Sequence, residues 1–140
     1  MTLVADSGGI YALFDADDRH HHAVRTVVEA EPGPIVVPSA ILAEIDYLLR
    51  EFLGVDAELS FLDNLLSGAL ILDLPPFEDL SRVRAIIESY RDLDLGYADG
   101  GVIATAERLG TQRVLTVDEG DFRAVTPRSG KPFILLPADA

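Results

Sequence analysis

The sequence predicts an α/β fold, with a mainly parallel sheet covered by helices on both faces. Three observations predict it. Short apolar runs ended by Gly, Pro or Asp recur along the chain, with amphipathic segments of helical spacing between them. The links are short, and there is no internal repeat or low-complexity tract. Hydrophobic residues make up 49% of the 140 residues, enough for one real core in one domain over 1–140. A strand that passes through a helix before the next strand returns parallel to it.

Thr2 to Ala5 reads as a buried strand, ended by Asp6-Ser7-Gly8-Gly9 as a turn into a short helix from about Ile10 to Asp15. Asp17 and Asp18 are placed to cap a second helix to about Glu31. After Pro32-Gly33-Pro34, Ile35 to Val37 is the second strand, stopped by Pro38. Ser39 opens a helix whose apolar stripe is Ile41, Ile45, Leu48, Leu49 and Phe52, closed by Gly54. A further helix spans roughly Asp56 to Leu66, and Ala69 to Leu72 is the third strand. Phe77, Leu80, Val83, Ile87 and Tyr90 mark the next amphipathic helix, followed by a loop from Asp92 to Gly96. An alanine-rich helix runs from Tyr97 to about Leu109, then Arg113 to Val117 is a strand, Asp118 to Phe122 a turn, and Phe133 to Leu136 the last strand.

The chain has no Cys, so it has no disulfide, thiolate metal site or cysteine nucleophile, which fits a reducing cytoplasm. No apolar run is long enough to span a membrane, and the first residues lack the pattern of a signal peptide. A net charge of −13 excludes a broad basic nucleic-acid surface. Bound cations can invert the charge of a site, and an acidic chain also suits a basic partner.

Four acids stand where a ligand site is expected. Asp6 and Asp118 follow the first and fourth strands, at the edge where parallel sheets bind ligands. Helix capping and turn formation are the alternative readings. Glu44 lies at the edge of an apolar stripe, where a charge needs a partner or must reach solvent. Asp99 opens the alanine-rich helix, a place its macrodipole also favours; Ala98, Gly100 and Gly101 beside it permit close approach. If the four converge, two charges ~5 Å apart at an effective dielectric of ~20 repel by about 3 kcal/mol, which raises their pKa values or calls for a cation. All-oxygen donors favour Mg²⁺ or Mn²⁺.

The ordered set of Asp6 after a strand, Glu44 on a helix, Tyr97-Ala98-Asp99 opening a helix and Leu115-Thr116-Val117-Asp118 followed by Asp121-Phe122 resembles the PIN-domain ribonucleases. Within them the chain is most similar to the VapC toxins of toxin–antitoxin pairs, over nearly its whole length. The segment Asp17 to Ala23 and the Pro38-Ser39 lead into the Glu44 helix share in the resemblance. The resemblance implies an α/β/α sandwich on about five parallel strands. It implies an endoribonuclease with Asp6, Glu44 and Asp99 as core acids around Mg²⁺ or Mn²⁺, Asp118 as the fourth, and Asp121 in reserve. It also implies RNA as substrate, a cognate VapB-like antitoxin lying in a hydrophobic groove, and homodimers. Ser7 and Thr116 adjoin the acids, where capping and turn chemistry is the alternative role. His20 to His22 are expected to face solvent, and Asp94 to be a loop residue.

A non-catalytic PIN-like module binding protein or RNA is the rival reading. A haloacid-dehalogenase-like site needs a second Asp where Gly8 stands, and the Asp6-Ser7-Gly8-Gly9 loop has no phosphate-loop Lys. A receiver-like site needs a Lys after a late strand, whereas Lys131 precedes one. Arg19, Arg25, Arg82, Arg84, Arg108, Arg123 and Arg128 are available to guide RNA, but nothing in the sequence orders them around the acids.

Overall fold

The computed structural model describes residues 1–140. Its five strands are β1 (Leu3–Ala5), β2 (Ile35–Pro38), β3 (Ile71–Asp73), β4 (Arg113–Leu115) and β5 (Ile134–Leu136). All are parallel, in the order β3-β2-β1-β4-β5. Val4 at the centre registers with Val36 on one side and Val114 on the other. Buried on both faces, β1 is apolar throughout: Leu3, Val4 and Ala5 are fully enclosed.

The helices are α1 (Ser7–Phe14), α2 (His21–Ala30), α3 (Leu42–Leu53), α4 (Val55–Ser67), α5 (Glu78–Ser89), α6 (Tyr97–Arg108) and α7 (Gly120–Ala124), with a 3₁₀ turn at Ser39–Ile41 leading into α3. The order β1, β2, β3 runs outward in one direction, then the chain returns across the sheet to β4. Right-handed crossovers therefore put α1 to α4 on one face and α5 and α6 on the other. The packing agrees, since α1 touches α2 and α3, α3 touches α4, and α5 pairs with α6. This is the expected α/β/α sandwich.

The return leaves β1 and β4 adjacent at the centre, with the connections that follow them leaving in opposite directions. Their carboxyl ends flank a topological switch point, where such sheets open a crevice.

Two local readings change: α2 has His20, not Asp17 or Asp18, at its N-cap position, and the turn after β1 is helix. Gly8 and Gly9 are part of α1, which starts at Ser7. A Cβ on Gly9 would lie 2.5 Å from the Leu115 carbonyl oxygen, and one on Gly8 2.9 Å from Val117 Cγ2. These glycines let the start of α1 press onto β4 and are not a turn. Likewise, Gly101 gives room for Ala40, and Gly100 for Val83. α6 is buried continuously from Gly100 to Ala106 because the 3₁₀ turn, α5 and the sheet enclose it.

Candidate metal centre

Asp6 is the first residue past β1. Its amide donates to the Leu115 carbonyl at 2.9 Å, continuing the β1–β4 ladder by one step. It holds the N-cap position of α1, but its carboxylate makes no capping bond. Instead Oδ2 accepts a hydrogen bond from Thr116 Oγ1 at 3.0 Å. Asp6 is only 6% exposed, and its pKa is pushed up to about 6. Burial is the chief cause, and the charges of Asp99 and Glu44 add to it; the Ser7 amide and the Thr116 hydroxyl act in the opposite direction.

Glu44 sits in the first turn of α3 and accepts a short hydrogen bond from Ser7 Oγ. As a residue it is exposed, so it reaches the site from the solvent side and not from the core boundary its stripe-edge position suggests. Asp99 occupies the first turn of α6, where its Oδ2 accepts from the Gly96 amide at 3.3 Å. Asp99 therefore serves the start of its own helix, the position the macrodipole favours, while it also faces the other acids. Burial raises its pKa first, the Gly96 amide opposes this, and the charges of Asp121, Glu44 and Asp118 raise it further.

Asp118 is exposed, and its amide donates to Thr116 Oγ1 at 3.0 Å, so it is also a turn residue. Asp121, half-buried in the first turn of α7, acts on Asp99 more strongly than Asp118 does. Asp99 thus lies within electrostatic reach of Asp6, Glu44, Asp118 and Asp121, and Asp6 also within reach of Glu44.

Thr116 is 1% exposed and serves both Asp6 and the Asp118 turn; Ser7 serves Glu44. The histidines lie apart from the cluster: His21 Nδ1 is 2.8 Å from the Ala12 carbonyl oxygen, and only His22 is fully at the surface.

Every ion pair lies elsewhere. Asp73, Asp79, Glu31, Glu107 and Asp139 each meet an arginine within 4.0 Å, whereas Asp6, Glu44, Asp99, Asp118 and Asp121 meet none. Coupled carboxylates without a cation, offering oxygen donors only, fit a hard divalent ion. No three of them are drawn into a closed ligand set. Mg²⁺ does not need one, because it keeps several waters and takes one or two carboxylates directly.

Comparison with known proteins gives a consistent picture. The family model described as PIN domain matches residues 3–126. Ribonuclease VapC26 of Mycobacterium tuberculosis is 33% identical over 135 residues, covering 96% of this chain and 100% of that protein. Among solved structures, M. tuberculosis VapC20, a toxin described as cleaving the sarcin–ricin loop, superposes with a TM-score of 0.78 at 17% identity, covering 84% of this chain and 91% of that one. VapBC2 from Rickettsia felis, bound to a DNA fragment from its promoter, gives 0.69 at 15% identity, covering 96% and 97%. FitAcB from Neisseria gonorrhoeae gives 0.59 at 17% identity, covering 86% and 90%. At these identities the structures speak for the fold.

Proposed function

This chain belongs to the PIN-domain family, and from that premise we infer that it is a VapC-like endoribonuclease. It hydrolyses RNA phosphodiester bonds at a site built on Asp6, Glu44, Asp99 and Asp118, with Mg²⁺ or Mn²⁺ as cofactor. The observation that carries this reading is a group of mutually repelling carboxylates without a cation, at the switch point of a parallel sheet. The likeness to a ribonuclease over nearly the whole chain supports it.

Asp6, Glu44, Asp99 and Asp118 would hold a divalent ion there, which would supply a Lewis acid and a water of lowered pKa. The remaining work falls to the chain. Asp6 sits in the least solvated position, where its charge most favours a cation. Thr116 fixes the direction of its carboxylate, and Ser7 fixes Glu44. The Gly96 amide holds Asp99 at the start of α6. Asp118 is the fourth acid, and both it and Asp121 act on Asp99. None of these groups forms a covalent bond to RNA. The acids alone repel a phosphodiester, so the scissile bond enters the acidic centre only when cations offset the charge there.

The partner is a cognate VapB-like antitoxin. A net charge of −13 suits a basic one. α4 also presents Val55, Leu59 and Leu66 to solvent, apolar area of the kind a protein partner covers. The chain works in the cytoplasm as a homodimer; no helix is long and apolar enough to cross a membrane.

Incubation of a structured RNA pool with the wild-type chain in Mg²⁺, Mn²⁺ or EDTA tests this reading. We expect cuts in either metal and none in EDTA. RNA or protein binding without turnover in any of the three would replace the enzyme with a non-catalytic module.

A further inference from the structure

The cationic side chains are few, and most are occupied. Of the 11 Lys and Arg residues, Arg25, Arg50, Arg82, Arg84, Arg108, Arg113 and Arg123 are tied to carboxylates. Arg19, Arg91, Arg128 and Lys131 are not. Two of these four, Arg128 and Lys131, line one cavity of ≈ 660 Å³. It lies at the end of the molecule away from the acids, between the last turns of α6, the start of α5 and the loop before β5. None of the five acids lines it.

Two of the four cations that line the cavity have no ion pair of their own. Glu107 is saturated, because Arg82 binds it through two nitrogens at 2.7 and 2.8 Å and the Arg128 amide donates to it at 2.8 Å. Asp79 is taken by Arg108 at 2.8 Å, and Arg108 also holds Asp73. That leaves Arg128, whose charge also acts on Glu107, and Lys131 without an ion pair, and Glu78 as the lining carboxylate that no arginine holds. With Asp73, which Arg108 holds, four cations and four carboxylates meet there, so the place is balanced in a chain that is otherwise strongly acidic. The lining is polar and carries no aromatic ring, so it offers nothing on which a base could stack. It suits a phosphate backbone, where point charges and a guanidinium fork contact oxygens without reading sequence.

We propose that the Arg128–Lys131 cavity binds the phosphodiester backbone of RNA as a second contact, remote from the acidic centre. The inference deepens the nuclease reading and rests on it for the identity of the nucleic acid. Asp99 opens α6 and Glu107 lies near its end, so the two places are about 12 Å apart along one helix, close to four base steps of a duplex. The RNA recognised then extends beyond the scissile bond, which favours structured targets over short strands.

Binding read without cleavage separates this inference from the nuclease reading. The dissociation constant of a labelled RNA hairpin is measured in EDTA at low ionic strength, over a salt series. The proteins are the wild-type chain, Arg128→Ala/Lys131→Ala, and a control, Arg25→Ala/Arg84→Ala, that removes the same charge from exposed helical pairs. The cavity variant is expected to bind about tenfold more weakly, with a salt slope flatter by roughly 1.5–2, as two lost phosphate contacts require. The control keeps the wild-type slope, and all three share one melting temperature, since neither cavity side chain holds the fold. Equal binding by wild type and cavity variant, equal weakening in the control, or no saturable binding by wild type each overturns the proposal. Failure of metal-dependent cleavage alone overturns the nuclease reading and leaves this measurement standing.

Discussion

Thr116 donates its hydroxyl to the Asp6 carboxylate at 3.0 Å, joining residues 110 positions apart in sequence. β1 and β4 are neighbours, so the residue after each strand falls at the same edge. Removing the hydroxyl while keeping the shape isolates its effect. Thr116→Val loses a bond that favours the charged form, so the Asp6 pKa rises further above about 6. The acidic limb of kcat/KM against pH is expected to move upward in the variant. An unchanged limb would mean that Thr116 serves only the Asp118 turn.

The Asp6 shift also sets a stability prediction. A carboxyl with a folded pKa of about 6 against an ordinary 3.8 binds its proton more tightly in the folded chain. Its stabilising contribution is complete below about pH 4 and is lost as pH rises through 6, by roughly 3 kcal/mol. In EDTA, Asp6→Asn is expected to be more stable than wild type at pH 7.5, and the gap should narrow by pH 4. Urea melts at both values measure it. A variant less stable at both would show that the Asp6 charge is not strained by its surroundings.

Gly9 and Gly96 make a matched pair. A Cβ at Gly9 meets the Leu115 backbone at 2.5 Å, whereas one at Gly96 meets nothing within 4 Å. Gly9→Ala is expected to cost at least about 1–3 kcal/mol through overpacking, and Gly96→Ala under about 1 kcal/mol, because the weaker N-cap is offset by a stiffer unfolded chain. Denaturant midpoints of the two variants give the comparison, and equal midpoints would contradict the close contact of α1 with β4.

Arg113 holds Glu31 at 2.6 Å, and the Glu31 side chain has no exposed surface. The contact is a charge pair, since Glu31 Oε2 falls outside hydrogen-bond geometry. Arg113 is the first cause of the lowered Glu31 pKa. Arg113→Met leaves that charge buried without its partner, and a loss of about 3–5 kcal/mol is expected in equilibrium unfolding at pH 7. A loss below about 1 kcal/mol would show that Glu31 finds water instead.

The strands and the strand-end acids were legible because buried parallel strands are short apolar runs with sharp ends. What one helix hides from another was not. The apolar stripe of α3 puts Glu44 at the core boundary, yet Glu44 is exposed and Asp46, two residues on, is half-buried. α4 folds back on α3 and brings Glu58 against Asp46, a neighbour that one helix's periodicity cannot contain. Phe52, counted in the apolar stripe, is 64% exposed beside Tyr11. Gly8 and Gly9 read as a turn because composition does not separate freedom of backbone from closeness of packing. The place of Asp121 beside Asp118 depends on the path of α7, and the arginine pairings depend on distances that no spacing encodes.

The most direct test is single-turnover cleavage of RNA in Mn²⁺ by wild type, Asp6→Asn and Asp99→Asn, each first shown to melt cooperatively. We expect cutting by wild type and none by either variant, with both variants folded. Wild-type rates in both folded variants would contradict the assignment of these acids to the reaction.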